Sequence, residues 1–146
     1  LPPGYEVTAA DLAEARRKAG VEIRRGDTVL IGTGWSREWD RPARFVGDEG
    51  GVPGPGPEAA RWLVEQGAAV VGGETIAFEH IPAGRGHATL PVHRILLVET
   101  GVNIVETMRL TELLRRGVAE FLLVLNPLPI VGATGAPVRP LAVLPA

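Results

Sequence analysis

Glycine and proline set the strongest limit on how this chain can fold. The 146 residues include 19 glycines and 13 prolines, spread along the whole sequence. Because glycine commonly ends helices and proline is excluded from helix interiors and central strands, these residues divide the chain into short elements. The pattern predicts a fold of short helices and strands, without heptads or internal repeats.

Between these breaks, helical segments alternate with short apolar strands. Thr8 and Asp11 have the capping-box pattern that opens an Ala-rich helix, and Gly20 supplies its end. Pro57 occupies the first position of a second helix. Further helices are predicted at 91–100 and 110–116, strands at 28–31, 68–71, 102–105 and 121–125, and a loop at 48–56. The alternation of helices and strands indicates an α/β layered domain.

Composition excludes several classes of protein. With 45% hydrophobic residues the chain is not intrinsically disordered, and it contains no run of about eighteen apolar residues that could cross a membrane. The net charge of −2 provides no basic surface for nucleic acid. Cysteine is absent, which excludes disulfides, thiolate metal sites and a cysteine nucleophile. The amino end lacks the pattern of a signal peptide, so we expect a cytoplasmic protein.

Common nucleotide and serine-hydrolase motifs are missing. Gly32 and Gly34 follow a strand, but Arg37 occupies the place where a dinucleotide-binding motif has its third glycine. Lys18 is the only lysine, and no Gly-Lys-Ser/Thr phosphate-binding loop exists. Ser36 is the only serine and lacks the Gly-x-Ser-x-Gly surroundings of a hydrolase nucleophile.

One histidine stands apart from the other two by its position. His80 and His87 lie in a Gly/Pro-rich stretch and are interpreted as loop residues. His93 begins a helix, and the strand that follows this helix ends at Glu106. A returning strand can bring the carboxylate near the imidazole, and such a pair is a common half-site for Zn²⁺ or Mn²⁺. At least two more ligands would be required to complete a site.

Other polar and aromatic residues receive less specific interpretations. Glu74 and Glu79 flank an apolar stretch and are expected to be solvated surface charges. Trp35 and Trp39 follow the strand at 28–31 and, with Phe45, predict an aromatic cluster. This cluster could form a wall for a planar substrate or help to bury a lid.

Several phrases, in the same order along the chain, resemble the cyclase family of metal-dependent hydrolases. This family includes bacterial kynurenine formamidase (arylformamidase) and isatin hydrolase. The phrases are RGDTVLIGTGW at 25–35, PG at 53–54 with EAARWL at 58–63, AVVGGET at 69–75, VHRILL at 92–97 with VE at 105–106, and PLPI at 127–130 with GATGAPVR at 132–139. The resemblance covers nearly the whole chain. It implies an α/β fold of the swivelling β/β/α type.

The resemblance also implies a divalent metal ion, Zn or Mn, with two of its ligands at His93 and Glu106. The rest of the family's metal site, including the histidine that acts as base, lies in an amino-terminal H-x-G-T-H-x-D-x-P-x-H motif that these 146 residues lack. The chain also starts at Leu1 without an initiator methionine. We therefore expect residues 1–146 to form a single domain, the carboxy-terminal part of a cyclase-like hydrolase domain that is incomplete here, with no catalytic base of its own. Glu74 and Thr107 stand where the family has Asp and Asn.

Two functional hypotheses follow from the resemblance. The first is a hydrolase that attacks an amide, formamide or lactone of a small, often aromatic acid, with the missing ligands supplied from outside the chain. It implies a homo-oligomer, or a complementary chain that carries the amino-terminal motif, and no membrane or nucleic-acid partner. The alternative is a catalytically inactive α/β binding or assembly module derived from the same family.

Overall fold

The structure, a computed structural model, describes residues 1–144 and has a three-stranded parallel sheet at its centre. In chain order the elements are β1 (Glu6–Val7), α1 (Ala9–Ala19), β2 (Thr28–Ile31), a 3₁₀ turn (Trp35–Glu38), α2 (Pro42–Phe45), β3 (Gly54–Pro55), α3 (Pro57–Glu65), β4 (Val70–Gly73), α4, β5 (Asn103–Val105), α5 (Thr111–Arg115), β6 (Leu122–Val124) and β7 (Leu141–Val143). Helix α4 is an α-helical turn at Pro91–His93 that continues as π-helical turns over Arg94–Thr100. Strand β4 lies between β2 and β5. The predicted α/β class is confirmed.

The two faces of the central sheet have different surroundings. Val29, Val71 and Ile104 are partners in register, and they belong to the main hydrophobic core together with residues of α1, α3 and α4. Leu30 and Val105 point to the other face, because side chains alternate along a strand, and there they line a cavity. One face of the sheet is therefore buried under helices, whereas the other borders an open space.

Helix α1 forms as its sequence predicts. The Thr8 hydroxyl accepts a hydrogen bond from the Asp11 backbone N–H, and the Asp11 carboxylate accepts one from the Thr8 backbone N–H. Gly20 ends the helix at a φ of 67°, in the left-handed region that glycine adopts without strain. The hydrogen bonds to Thr8 hold the pKa of Asp11 below its usual range.

The segment between β2 and α3 is more ordered than its sequence indicates. Residues 36–56 show no hydrophobic period, yet they include part of the 3₁₀ turn, all of α2 and β3. Strand β3 pairs with β1, and residues 52–56 are buried. The interpretation of 48–56 as a loop is therefore wrong for Gly54 and Pro55, which form β3. A smaller core of Trp35, Phe45, Val52, Ala77 and Ile81 anchors this segment.

The last part of the described chain is an exposed hairpin. Strands β6 and β7 pair antiparallel, with Leu122 opposite Val143 and Val124 opposite Leu141. These four apolar side chains are between 43% and 65% exposed. Strand β6 lies within the strand predicted at 121–125, whereas the sequence analysis did not predict β7. No helix within residues 1–144 is long and apolar enough to span a bilayer.

Candidate metal centre

The fold brings His93 and Glu106 into contact. His93 lies in the first turn of α4, where the fixed φ of Pro91 suits the first helical position. Glu106 directly follows β5, which is parallel to β4 and is reached from α4 through Gly101. The His93 Nε2 and Glu106 Oε1 atoms are 3.1 Å apart. The predicted approach of the carboxylate to the imidazole is confirmed, while metal binding by this pair stays a prediction.

A buried carboxylate, Glu79, holds the other side of the imidazole. Glu79 is 1% exposed, so its interpretation as a solvated surface charge is wrong. Its Oε2 accepts a hydrogen bond from the Val92 backbone N–H at 3.1 Å. Its Oε1 accepts from the His93 backbone N–H at 3.0 Å and lies 2.7 Å from His93 Nδ1. Glu79 therefore satisfies two backbone donors at the start of α4 and one ring nitrogen at the same time.

Two features of the sequence could have indicated this role. Helix α4 begins after Leu90, whose side chain has no acceptor for the free amides of a helix start. Glu79 follows the apolar residues Ala77 and Phe78 and lies close to Ile81, all of which are buried. A buried carboxylate needs hydrogen-bond donors, and a helix start without its own cap has free backbone N–H groups. These two features together indicate that Glu79 caps α4, although the two are distant in sequence.

Both carboxylates favour the charged form of His93. Hydrogen bonding to Glu106 is the largest cause and hydrogen bonding to Glu79 the next, and they raise the pKa of His93 to about 9 against the opposing effect of burial. The imidazole in this structure is therefore charged at neutral pH and donates to a carboxylate from each ring nitrogen.

Both carboxylates that contact His93 are next to a residue with unusual backbone geometry. Phe78, which precedes Glu79, has a φ of 58°, and Thr107, which follows Glu106, has a φ of 56°. They are the non-glycine residues with positive φ within 1–144. Such conformations cost free energy for residues with a Cβ atom, most of all for a β-branched one such as Thr107. Within residues 1–144, the non-glycine residues with strained backbone are therefore the two that adjoin the acids of the candidate site.

A second buried carboxylate, Glu74, also corrects the expectation of a surface charge. Glu74 is 1% exposed and accepts hydrogen bonds from the Thr33 hydroxyl, the Gly34 backbone N–H and, at 2.6 Å, the Ser36 hydroxyl. Ser36 also lies 2.9 Å from the Thr111 hydroxyl oxygen. Glu74, which follows β4, is thereby linked to the turn after β2 and, through Ser36, to the start of α5.

The two tryptophans predicted as a substrate wall lie in different environments. Trp35 is fully buried and donates from Nε1 to the Phe45 carbonyl at 3.1 Å. Trp39 is 57% exposed and packs edge-on against Phe45, with the ring centroids 5.2 Å apart. The aromatic cluster exists, and Trp39 is the member that presents its ring to solvent. Contact of either tryptophan with a substrate stays a prediction.

The other two histidines lie outside the candidate centre. His80 Nε2 is 3.0 Å from the Gly4 carbonyl oxygen, and its Nδ1 is 3.6 Å from a carboxylate oxygen of Glu6. His80 thus contacts the amino-terminal segment. His87 is exposed in a turn. Both are loop residues, as the sequence predicts.

A cavity of about 490 Å³ borders Glu106. Its apolar lining includes Leu30, Leu113, Phe121 and Leu123. Arg109 and Arg116 also line it and supply positive charge. The cavity lies between the sheet face that carries Leu30 and Val105, helix α5 and the strands β6 and β7. Glu106 borders both His93 and this space, which is large enough for a small molecule.

The donor set fits part of a divalent metal site. An imidazole nitrogen and a carboxylate oxygen are suitable ligands for Zn²⁺ or Mn²⁺, and here they face each other at hydrogen-bond distance. Within residues 1–144, no group of three or more His, Cys, Asp or Glu side chains is placed to hold an ion. These residues fit two ligands of a metal centre, and further ligands would have to come from elsewhere.

The parallel sheet, with His93 on a helix facing Glu106 at the end of a strand, defines an α/β protein with a histidine–carboxylate pair at one end of its sheet. More specifically, the chain belongs to the cyclase family, because residues 1–80 match the family model described as "Putative cyclase". An isatin hydrolase from Roseibium aggregatum is 30% identical over 146 residues, which is 98% of this chain and 54% of that protein.

Solved structures show the same relationship. A novel cyclase is 36% identical, with a TM-score of 0.86 over 99% of this chain and 49% of its own. An isatin hydrolase bound to the product analogue thioisatinate is 27% identical, with a TM-score of 0.80 over 99% of this chain and 55% of its own. Two further matching structures, with TM-scores of 0.63 and 0.64, are described as a "Potential Metal-Dependent Hydrolase With Cyclase Activity" and as a "predicted metal-dependent hydrolase" from Bacillus stearothermophilus. The fold is that of the cyclase family, and the chain spans about half the length of these relatives.

Proposed function

We propose that this chain provides one side of the active site of a metal-dependent cyclase-family hydrolase. The observation that carries the proposal is the contact between His93 and Glu106, whose Nε2 and Oε1 atoms are 3.1 Å apart. The buried Glu79 contacts the other ring nitrogen of His93. The hydrolase names of the relatives at 27–30% identity support the reaction type. A random surface contact would not combine a buried acceptor with a ring held between two acids.

In this proposal His93 and Glu106 hold a divalent ion, Zn²⁺ or Mn²⁺. When bound, such an ion supplies Lewis-acid activation of water and of a scissile carbonyl group. His93 would bind through Nε2, and Glu79 would keep the other ring nitrogen occupied. The remaining ligands and the catalytic base are proposed to come from the amino-terminal family motif, either on a complementary chain or in a longer form of the protein. A second copy of the chain is the expected partner in a homo-oligomer.

The proposed substrate is an amide, formamide or lactone of a small, often aromatic acid. The cavity beside Glu106 supports this size, because its apolar lining suits a ring and its arginines suit an anionic group. The names of the relatives support it as well, since isatin hydrolase acts on isatin. Trp39 is proposed as an additional exposed aromatic contact outside the cavity lining.

Metal content and hydrolysis together test the proposal. The chain is purified alone and together with a separate chain that carries the amino-terminal motif of a relative. Elemental analysis is made before and after addition of Zn²⁺ or Mn²⁺, and hydrolysis of isatin and of an aryl formamide is followed. We expect metal binding near stoichiometry and hydrolysis that requires both chains and the metal. Trace metal that does not increase on addition, with no hydrolysis, would contradict the proposal.

The inactive binding or assembly module remains the alternative. It differs in predicting that the His93–Glu106 contact persists as an ion pair in the presence of excess metal. Partner binding without metal uptake in the same two-chain experiment would support this alternative.

A further inference from the structure

Both carboxylate oxygens of Glu79 accept hydrogen bonds from the start of α4. Its Oε1 meets both the backbone N–H and Nδ1 of His93, and its Oε2 meets the backbone N–H of Val92. Three donors on one helical turn thus converge on one carboxylate that is 1% exposed. A buried carboxylate in this position is favoured by the positive end of the helix dipole and has no solvent to replace these contacts.

A carboxylate acts only as an acceptor, so its partner nitrogen must carry hydrogen. Both ring nitrogens of His93 face a carboxylate, but a neutral ring carries only one hydrogen. Nδ1 keeps this hydrogen, because it lies 2.7 Å from the buried Glu79, whereas Nε2 lies 3.1 Å from Glu106, whose side chain is 36% exposed and can be hydrated. The lone pair of the neutral ring is then on Nε2, the nitrogen that faces Glu106 at 3.1 Å. The same contact also fixes the plane of the ring, because the backbone N–H of His93 binds the same oxygen.

We propose that Glu79 is the positioning residue that fixes the tautomer and orientation of His93, so that Nε2 is the nitrogen presented to the metal. This inference rests on the proposed function and adds a residue to it. Glu79 does not contact the ion or the substrate and acts through His93. Outer hydrogen bonds of this kind orient a ligating histidine and increase its basicity.

The packing around the backbone of Glu79 keeps this residue in a fixed position. A Cβ atom at Gly54 would lie 2.5 Å from the Glu79 carbonyl carbon, so β3 packs directly against the backbone of Glu79. Phe78 is buried in the main core. The backbone of Glu79 therefore has little freedom to move, so the carboxylate determines the orientation of the imidazole of His93.

The test uses the ring nitrogen signals of His93 in the full chain, with and without Zn²⁺. Long-range ¹H–¹⁵N NMR spectra of the metal-free chain, recorded with the imidazole neutral, should show the Nδ1–H tautomer. Glu79→Gln should give a mixture of tautomers, because an amide can either accept or donate, and should weaken Zn²⁺ binding by about 10- to 100-fold in calorimetry. Glu74→Gln is the matched control: it changes an equally buried glutamate that does not contact His93.

The outcomes separate this inference from the proposed function. An Nε2–H tautomer in the unmodified chain would overturn the inference, even if neither variant folds. Equal effects of Glu79→Gln and Glu74→Gln on the tautomer would also overturn it, since Glu79 would then act only as a helix cap. If the chain shows the Nδ1–H tautomer but binds no Zn²⁺ even when mixed with the chain that carries the amino-terminal motif, the positioning role is supported and the proposed function is contradicted.

Discussion

Thr107 is an unfavourable residue for the backbone conformation it adopts. Its φ of 56° is in the left-handed region, where a β-branched side chain is strained, and its side chain is exposed. Asparagine tolerates this region better than other non-glycine residues. The fold of this chain thus accepts local strain directly after Glu106.

Replacing Thr107 by Asn should therefore stabilise the protein. We expect Thr107→Asn to increase the free energy of unfolding by about 1 kcal/mol, measured by urea denaturation. Thr89→Asn is the control, because Thr89 is also exposed but has no positive φ. Equal effects of the two substitutions would show that relief of strain is not the cause.

A second prediction at the residue scale concerns which of the three histidines binds the metal ion. His93→Ala should abolish most of the metal uptake of the chain, because it removes the nitrogen that faces Glu106. His80→Ala and His87→Ala should leave metal uptake nearly unchanged, since neither ring contacts the candidate site. Elemental analysis of the three variants measures this difference. A similar loss of metal in all three would contradict the assignment of His93 as a ligand.

Sequence reasoning predicted the contact between His93 and Glu106 but missed Glu79. The contact could be predicted because a helix followed by a strand returns the chain to the same end of the sheet. The burial of Glu79 depends on Gly54, Phe78 and the start of α4, which are brought together only by the tertiary fold. The local composition around a glutamate does not indicate burial that depends on distant segments of the chain.

At the scale of elements, β3 has an importance that its two residues do not suggest. Gly54 packs against the backbone of residues 78–79, and a Cβ atom added to Gly54 would be 2.3 Å from the Phe78 carbonyl oxygen. The backbone that carries Glu79 is therefore positioned by an element that lies within Pro-Gly-Pro-Gly at 53–56, a sequence typical of a loop.

Gly54→Ala should accordingly disturb both stability and the candidate site. We expect a loss of about 1–3 kcal/mol in the free energy of unfolding, because backbone atoms must move to admit the methyl group. Weaker Zn²⁺ binding should accompany this loss, since Glu79 moves with its backbone. Gly135→Ala is the control, because a Cβ atom there meets no atom within 4 Å and its φ is not positive. Calorimetry and thermal denaturation of both variants measure the two effects, and unchanged metal affinity in Gly54→Ala would contradict the link to Glu79.

Elements with local signals could be predicted, and those that depend on distant partners could not. Helices α1 and α3 carry their own start signals at Thr8 and Pro57, and the structure places both where they were expected. Strand β3 exists because β1 pairs with it, and β7 exists because β6 does. A sequence window of a few residues does not contain the pairing partner of either strand, so the sequence analysis did not predict β3 or β7.

At the scale of the whole molecule, the hairpin of β6 and β7 leaves apolar side chains in solvent. Leu122, Leu141 and Val143 are each at least 50% exposed, and Val131 in the connection is fully exposed. Exposed apolar surface of this extent is characteristic of interaction sites. We propose that a second copy of the chain covers this surface, in line with the homo-oligomer proposed above.

The chain should therefore associate in a concentration-dependent manner through this hairpin. The paired change Leu122→Lys with Val143→Glu removes apolar surface, and opposite charges at directly opposed positions preserve the strand pairing. We expect this variant to be monomeric in light scattering after size-exclusion chromatography. Val98→Lys, which alters a 79% exposed residue on α4, serves as the control. Association that survives the hairpin change but not the control change would place the interface on α4.

The central position of β4 in the sheet has a consequence for the order in which parts of the molecule unfold. Among the strands within residues 1–144, β4 alone is paired on both edges, and Val71 is fully buried. Amide hydrogens of this strand should exchange with deuterium most slowly, at a rate set by global unfolding. The hairpin of β6 and β7 lies outside both buried cores, so it can detach while the sheet stays intact. A protease at low concentration should therefore cut first near the hairpin and leave a resistant fragment built around β4.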